Sequence, residues 1–196
     1  MVKIHPKLIS GAWKEGFTLD LHTLSSDHIG DDEYGHPQFD TKRSEMGELL
    51  YKLKYNEDKS VLGNIITTAS HFIKSKNWPA DLVVSVPPSR KGRGFQPVPI
   101  VAEGIATDLG IAFYANCVVK VKNTPELKDI FDFEKRLCIL EDAFKISYPV
   151  VGRTVLLFDD LYRSGATLKA VTRLLMEKGK AKDVYALTLT MTRRKR

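Results

Sequence analysis

Residues 155–167 read VLLFDDLYRSGAT. Four apolar residues run into two adjacent acids, Asp159 and Asp160, and after three more residues comes Ser-Gly-Ala-Thr at 164–167. A short apolar run bounded by turn residues is the pattern of a strand buried on both faces. Leu168, Val171, Leu174 and Leu175 then recur at helical spacing, and Gly179 closes that segment. The stretch therefore predicts strand, tight turn and helix. Its chemistry has two unlike ends. Ionised carboxylates only accept hydrogen bonds. A glycine turn lets backbone N–H groups close around a phosphate, and a helix beginning near Ala166 aims its positive end at the same point. Ser164 and Thr167 add hydroxyl donors, beside Gly165 and Ala166. A ligand that suits both ends carries a phosphate at one and hydroxyls or a bound cation at the other. A 5-phosphorylated ribose does so, with its 2- and 3-hydroxyls, or a Mg²⁺-linked oxygen, on the acids.

Outward from this stretch the chain alternates strands and helices. Helical faces are expected from Met46, Leu49, Leu50 and Leu53, from Val61 through Ile73, and from Val98 to Leu109 with Gly110 as C-cap. Strands are expected at 81–86, 111–121, 154–158 and 183–190. Residues 122–142 read as a charged loop with a short helix, in which the lysines of 120–136 suit a flap. The predicted fold class is α/β, a mainly parallel twisted sheet flanked by helices. Residues 1–45 are expected to form an N-terminal extension or hood, and 46–196 the main domain. Within the extension, GFTLDLHT (16–23) alternates Phe17, Leu19 and Leu21 with Thr18, Asp20 and His22, a half-buried strand pattern. A polar loop, SSDHIGDDEYGHPQFD (25–40), follows it.

Ligands in such sheets bind beyond the carboxyl ends of the strands. A second informative stretch leaves the strand at 82–86 there: VPPSRKGRGFQP (86–97). Pro87 and Pro88 stiffen the exit. Ser89, Arg90, Lys91 and Arg93 follow, with Gly92 and Gly94 interleaved. Arginine offers forked donors and glycine permits close approach, so this loop suits a diphosphate.

The 155–167 stretch resembles the phosphoribosyl diphosphate (PRPP) binding motif of the type I phosphoribosyltransferases, an apolar run followed by DD-x-x-[ST]-[ST]-G-x-T. The resemblance implies ribose contacts from Asp159 and Asp160, and 5-phosphate contacts from Ser164, Gly165, Ala166 and Thr167. Arg163 stands where many members have Thr, and where purine-salvage members have an Asp that handles a proton on the base. Arginine cannot take that proton at neutral pH, so purine salvage is disfavoured and Arg163 adds charge beside the phosphate. With Pro87, Arg93-Gly94-Phe95 and Gln96, the chain is similar to the ComF-type branch of that family. LLYKLKY (49–55), TPELKD (124–129), Arg136 and Ala143-Phe144 extend the similarity, which covers about residues 47–190. The four-cysteine zinc ribbon of that branch is replaced by the GFTLDLHT segment, and an Asn usual before Ala143-Phe144 reads Ile139.

Composition sets outer bounds. The chain has 196 residues, 43% hydrophobic and 28% charged, with net charge +6, as in an ordinary globular protein. The two cysteines, Cys117 and Cys138, lack metal-ligand spacing and suit a reducing cytoplasm, the expected location. MVKIHPKLISGAW lacks a signal-peptide core. No run approaches the roughly 20 apolar residues of a membrane span. His22, His28, Asp31, Asp32, Glu33 and His36 match no metal-ligand spacing and read as a polar surface loop. The TRRKR end reads as a solvated tail.

The reading that follows is a phosphoribosyltransferase. Mg²⁺ is the expected cofactor, carried with PRPP and contacting Asp159 and Asp160 directly or indirectly. Arg90, Arg93 and Lys91 would take up charge on departing diphosphate, while the acids hold the ribose for an unidentified nucleobase or amine acceptor. The alternative is a non-catalytic PRPP-sensing regulator or nucleic-acid-associated module of a DNA-uptake or defence system. A third reading gives the acids to Mg²⁺ alone, as in phosphotransfer receivers, and leaves the Ser-Gly-Ala-Thr turn unexplained. A homodimer and a nucleic-acid contact stay open as partners, and a membrane does not.

Overall fold

The computed structural model describes residues 1–88, 95–122, 139–140 and 143–193. Its centre is a six-stranded sheet in the order β1-β2-β10-β9-β5-β6, from strands β1 (Lys7–Leu8), β2 (Glu15–Leu21), β5 (Leu82–Ser85), β6 (Ala112–Phe113), β9 (Thr154–Tyr162) and β10 (Asp183–Met191). Only the β1–β2 pair is antiparallel. Residues 155–158 and 184–190 are buried throughout because strands alternate side chains between faces and both faces here are covered. Leu156, Phe158, Leu187 and Val83 join one core with helices α1 (Glu45–Tyr55), α2 (Leu62–Lys76) and α3 (Pro97–Leu109). Val155, Leu157, Ala186 and Val84 join the other with helix α4 (Ala166–Glu177). The fold class is thus α/β with a mostly parallel central sheet flanked by helices.

The helix ends follow capping chemistry. Ser44 Oγ accepts the Gly47 N–H at 3.0 Å and donates to the Leu21 carbonyl at 2.5 Å, so one hydroxyl starts α1 and ties it to the end of β2. A Cβ on Gly47 would lie 2.2 Å from the His22 carbonyl oxygen, which is why α1 can cross so close to that strand. Gly110 closes α3 in the left-handed conformation, φ 68°.

Three expectations change. The polar stretch after residue 22 is not a loop but an antiparallel hairpin of β3 (Thr23–Asp31) and β4 (Pro37–Arg43). No apolar alternation announced it because the hairpin is exposed along most of its length. Its turn is held by Asp32, whose Oδ1 accepts the N–H groups of Tyr34 and His36 at 2.9 and 2.8 Å. Second, β2 is not half-buried in the expected sense: Thr18 and Asp20 are buried along with Leu19, while Phe17 and Leu21 keep partial exposure, because both faces of this strand are covered. Asp20 Oδ1 accepts the Leu21 N–H and Oδ2 meets His5 Nδ1 at 3.1 Å. Third, 111–121 is two strands. β6 stays in the sheet, a turn with Asn116 at φ 57° intervenes, and β7 (Val118–Lys120) pairs with β8 (Phe144–Ile146). Most of the 122–142 segment, with TPELKD and Arg136, lies outside the described residues.

Candidate functional site

The carboxyl ends of β9, β10, β2 and β5 share one edge of the sheet. The acid pair stands there on β9, whose alternation sends adjacent side chains to opposite faces. Asp160 falls on the face of Leu156 and Phe158, beneath α1. Its Oδ2 meets Lys54 Nζ at 2.6 Å. Asp159 falls on the opposite face and is half-buried, and its Oδ1 accepts the Asp160 N–H at 2.8 Å. Burial, then the adjacent Asp160 charge, raises the Asp159 carboxyl from 3.8 to about 7, against the pull of the Asp160 N–H and of Lys54. Burial draws the Lys54 ammonium down, but the Asp160 contact and the Asp159 charge outweigh it, and its pKa is raised.

Beyond Asp160 the turn is built on Gly165, at φ 77°. A Cβ there would lie 2.7 Å from the Tyr162 ring, so glycine is required by both backbone angle and space. Gly165 is the N-cap of α4 and, having no side chain, leaves the first turn of the helix without a side-chain cap from that position. Ser164 Oγ accepts the Ala166 N–H at 3.4 Å. Ala166 is buried, Thr167 half-buried and Arg163 exposed. A strand end bearing two carboxylates and an open helix start thus lie within one turn of each other.

Two residues join this edge that their sequence context did not mark as site residues. Lys54 lies one helical turn past Leu50 on the inward stripe of α1, and a lysine on a stripe with Met46, Leu50 and Leu53 was the available signal. His22 follows the end of β2, its Nδ1 3.3 Å from Thr190 Oγ1, which in turn reaches the Asp160 carbonyl at 3.4 Å. Burial and the nearby Arg43 and Lys54 charges hold the His22 pKa below its usual value. Arg43 itself lies over the Tyr51 ring, 3.8 Å from its centroid.

Ser89, Arg90, Lys91 and Arg93 lie outside the described residues. The exit that leads to them is described: the Val86 N–H donates to the Phe158 carbonyl at 2.9 Å, which seats the end of β5 one residue from Asp159. Among the described residues no group of three or more His, Cys, Asp or Glu side chains is placed to hold a metal ion. Asp159 and Asp160 with Lys54 form a net anionic edge suited to hydroxyls, or to a cation whose other ligands come with a substrate. No helix among the described residues is long and apolar enough to cross a membrane.

No protein-family model matches the chain. It is 30% identical over 115 residues to the DNA utilization protein YhgH of Salmonella typhi and to that of Salmonella typhimurium. The match takes in 57% of this chain and 50% of each relative, so the chain spans about half the length of the curated relatives it matches. Among solved structures it is similar to adenine phosphoribosyltransferase from Thermoanaerobacter pseudethanolicus, at 19% identity and TM-score 0.46, over 85% of this chain and 83% of that one. A hypothetical protein from Neisseria gonorrhoeae with bound ppGpp gives 16% identity and TM-score 0.44, over 69% and 70%. A hypoxanthine phosphoribosyltransferase from Staphylococcus aureus gives 13% identity and TM-score 0.44, over 66% of this chain and 62% of that one.

Proposed function

We propose that this sheet edge binds PRPP and that the protein transfers its phosphoribosyl group to a nitrogen acceptor, releasing diphosphate. The observation that carries the reading is the succession on one strand end of Asp159, Asp160 and the Gly165 turn opening α4. The 5-phosphate would take the first-turn N–H groups of α4 with the Ser164 and Thr167 hydroxyls, and Arg163 would add charge at the rim. Asp159 and Asp160 would accept the ribose hydroxyls, fixing the sugar so that leaving group and acceptor stay in line at carbon 1. Arg90, Lys91 and Arg93, which follow β5 in sequence, would neutralise the diphosphate as the C1–O bond breaks and the ring becomes oxocarbenium-like. Mg²⁺ bound with the diphosphate would lower its negative charge, and Asp159 and Asp160 would hold it directly or through water. This reading puts the chain with the ComF-type branch of the type I phosphoribosyltransferases.

Calorimetric titration with PRPP and Mg²⁺ tests the pocket, and diphosphate release with candidate nucleobases and amines tests turnover. Asp159→Asn with Asp160→Asn should abolish measurable binding. Unchanged affinity in that double variant would refute the assignment. A second reading, a PRPP-sensing module without turnover, is favoured by the name of the curated relatives, DNA utilization protein. It predicts PRPP binding with no diphosphate release, together with salt-sensitive DNA binding that PRPP alters.

A further inference from the structure

A cavity of about 420 Å³ lies between the C-terminal end of α4 and the link from β8 to β9. That volume falls within the range of about 300–1,000 Å³ usual for small-molecule sites. Phe144, Ile146, Tyr148 and Leu174 give it apolar walls, and the exposed Lys145 and Lys178 also line it. The link enters β9 at Thr154, and Asp159 stands five residues further along that strand. At strand rise this separation is roughly 17 Å, so the cavity is a place apart from the acid pair.

The walls are tied in place. The Ser147 N–H donates to the Cys117 carbonyl at 2.8 Å, and the Cys117 thiol reaches the Tyr148 carbonyl at 3.6 Å. Below them the Gly152 N–H donates to the Lys180 carbonyl at 2.9 Å and the Lys182 N–H to the Arg153 carbonyl at 2.8 Å. A Cβ on Gly179 would lie 2.7 Å from Ile146 Cδ1 and from Val150 Cγ2, so glycine lets the helix end close on the link. Charge then selects the ligand. Two lysines line the cavity and no acid does. The nearby Glu177 carboxylate is turned to Arg173, 3.8 Å away. The last carbonyls of a helix would repel an anion, but here they are occupied: Leu174 accepts the N–H groups of Lys178 and Gly179, and Leu175 accepts that of Ala181, all at 3.0 Å. The two ammonium groups therefore set the sign of the site. An inorganic anion alone would leave the apolar walls unused. Tyr148, 53% exposed with Tyr114 at 6.2 Å between ring centroids, offers an aromatic wall suited to a ring.

We propose that this cavity is a second ligand site, for a small aromatic acid whose ring packs on Phe144, Ile146, Tyr148 and Leu174 and whose anionic group is met by Lys145 and Lys178. Its occupancy is independent of what the sheet edge binds.

The probe is 8-anilinonaphthalene-1-sulfonate, an aromatic sulfonate whose fluorescence rises when it leaves water, titrated into the full chain. Saturable binding of one molecule per chain is expected. 1-Naphthoate should displace it, and 1-naphthylmethylamine, the same ring with a cation, should not. Lys145→Glu with Lys178→Glu should weaken binding about tenfold or more, and Lys145→Arg with Lys178→Arg should restore it. Val151→Glu, an acid placed in the lining, should act in the direction of the first pair. Circular dichroism melts confirm that these exposed substitutions leave the fold intact. PRPP with Mg²⁺ should not displace the probe, which separates this cavity from the sheet edge. No saturable binding, equal competition by the cationic ring, affinity that the glutamate variants leave unmoved, or displacement by PRPP overturns the proposal.

Discussion

Lys54 Nζ lies 2.6 Å from Asp160 Oδ2 across 106 residues of sequence, and this pair joins α1 to the end of β9. Lys54→Met would leave the buried Asp160 carboxylate without its cation. Fully buried pairs broken this way cost about 3–5 kcal/mol. Here the side chains keep 25% and 12% of their exposure, so about 1–3 kcal/mol is expected, read by urea denaturation. Asp160→Asn should cost less than Lys54→Met. The double variant should cost less than the two singles summed, and strict additivity would show that the pair is not coupled.

The Asp159 carboxyl gives a pH dependence with a definite sign. Its folded pKa, about 7, lies above the ordinary 3.8, so the folded state holds a proton that the unfolded state releases. The stability contribution is complete below about 3.8 and is lost as pH rises through about 7. Asp159→Asn should flatten that slope in thermal melts across the window. Binding that needs the ionised acid should run the other way. Affinity for Mg²⁺ and PRPP is expected to climb as pH passes through about 7, with proton release in calorimetry repeated in buffers of different ionisation enthalpy. Affinity that is level with pH would count against Asp159 as one of the two ribose-facing acids.

Gly165 and Gly63 form a contrasting pair. Gly165→Ala places a side chain at φ 77° and against the Tyr162 ring, and should cost about 1–3 kcal/mol while weakening PRPP binding. Gly63 lies in α2 with open space where its Cβ would stand, and alanine there should stabilise by up to about 1 kcal/mol. Differential scanning fluorimetry separates the two directions. A rise in melting temperature for Gly165→Ala would contradict the turn geometry.

Arg90→Ala and Arg93→Ala should act on the chemical step if they neutralise leaving diphosphate. A fall in turnover of roughly 10²-fold is expected for each, larger than any change in the affinity for PRPP. Weaker binding with turnover unchanged would assign them to binding alone.

The centre of the fold was legible because parallel strands buried on both faces are written as unbroken apolar runs. VLLF and LVV could be little else, and Gly110 and Ser164-Gly165 punctuated the helices around them. The acids and the turn were legible for a related reason, since two carboxylates at the end of such a run have no role in a core. Lys54 was not, because its partner is defined by how α1 crosses β9 and no local spacing records a crossing. The β3–β4 hairpin was hidden by its exposure: with most of both strands in water, β3 and β4 carry no apolar alternation, and their polar residues look like those of a loop. Thr18 and Asp20 misled in the opposite sense, since polar side chains on alternate positions do not reveal that their face of the sheet is covered.

Ser44 fastens one end of α1 to β2, and Lys54 fastens the other to β9. The helix is a strut pinned at two points, and the β3–β4 hairpin springs from the first of them. The hairpin's root therefore cannot slide along the rim of the sheet and stands at a set remove from Asp160.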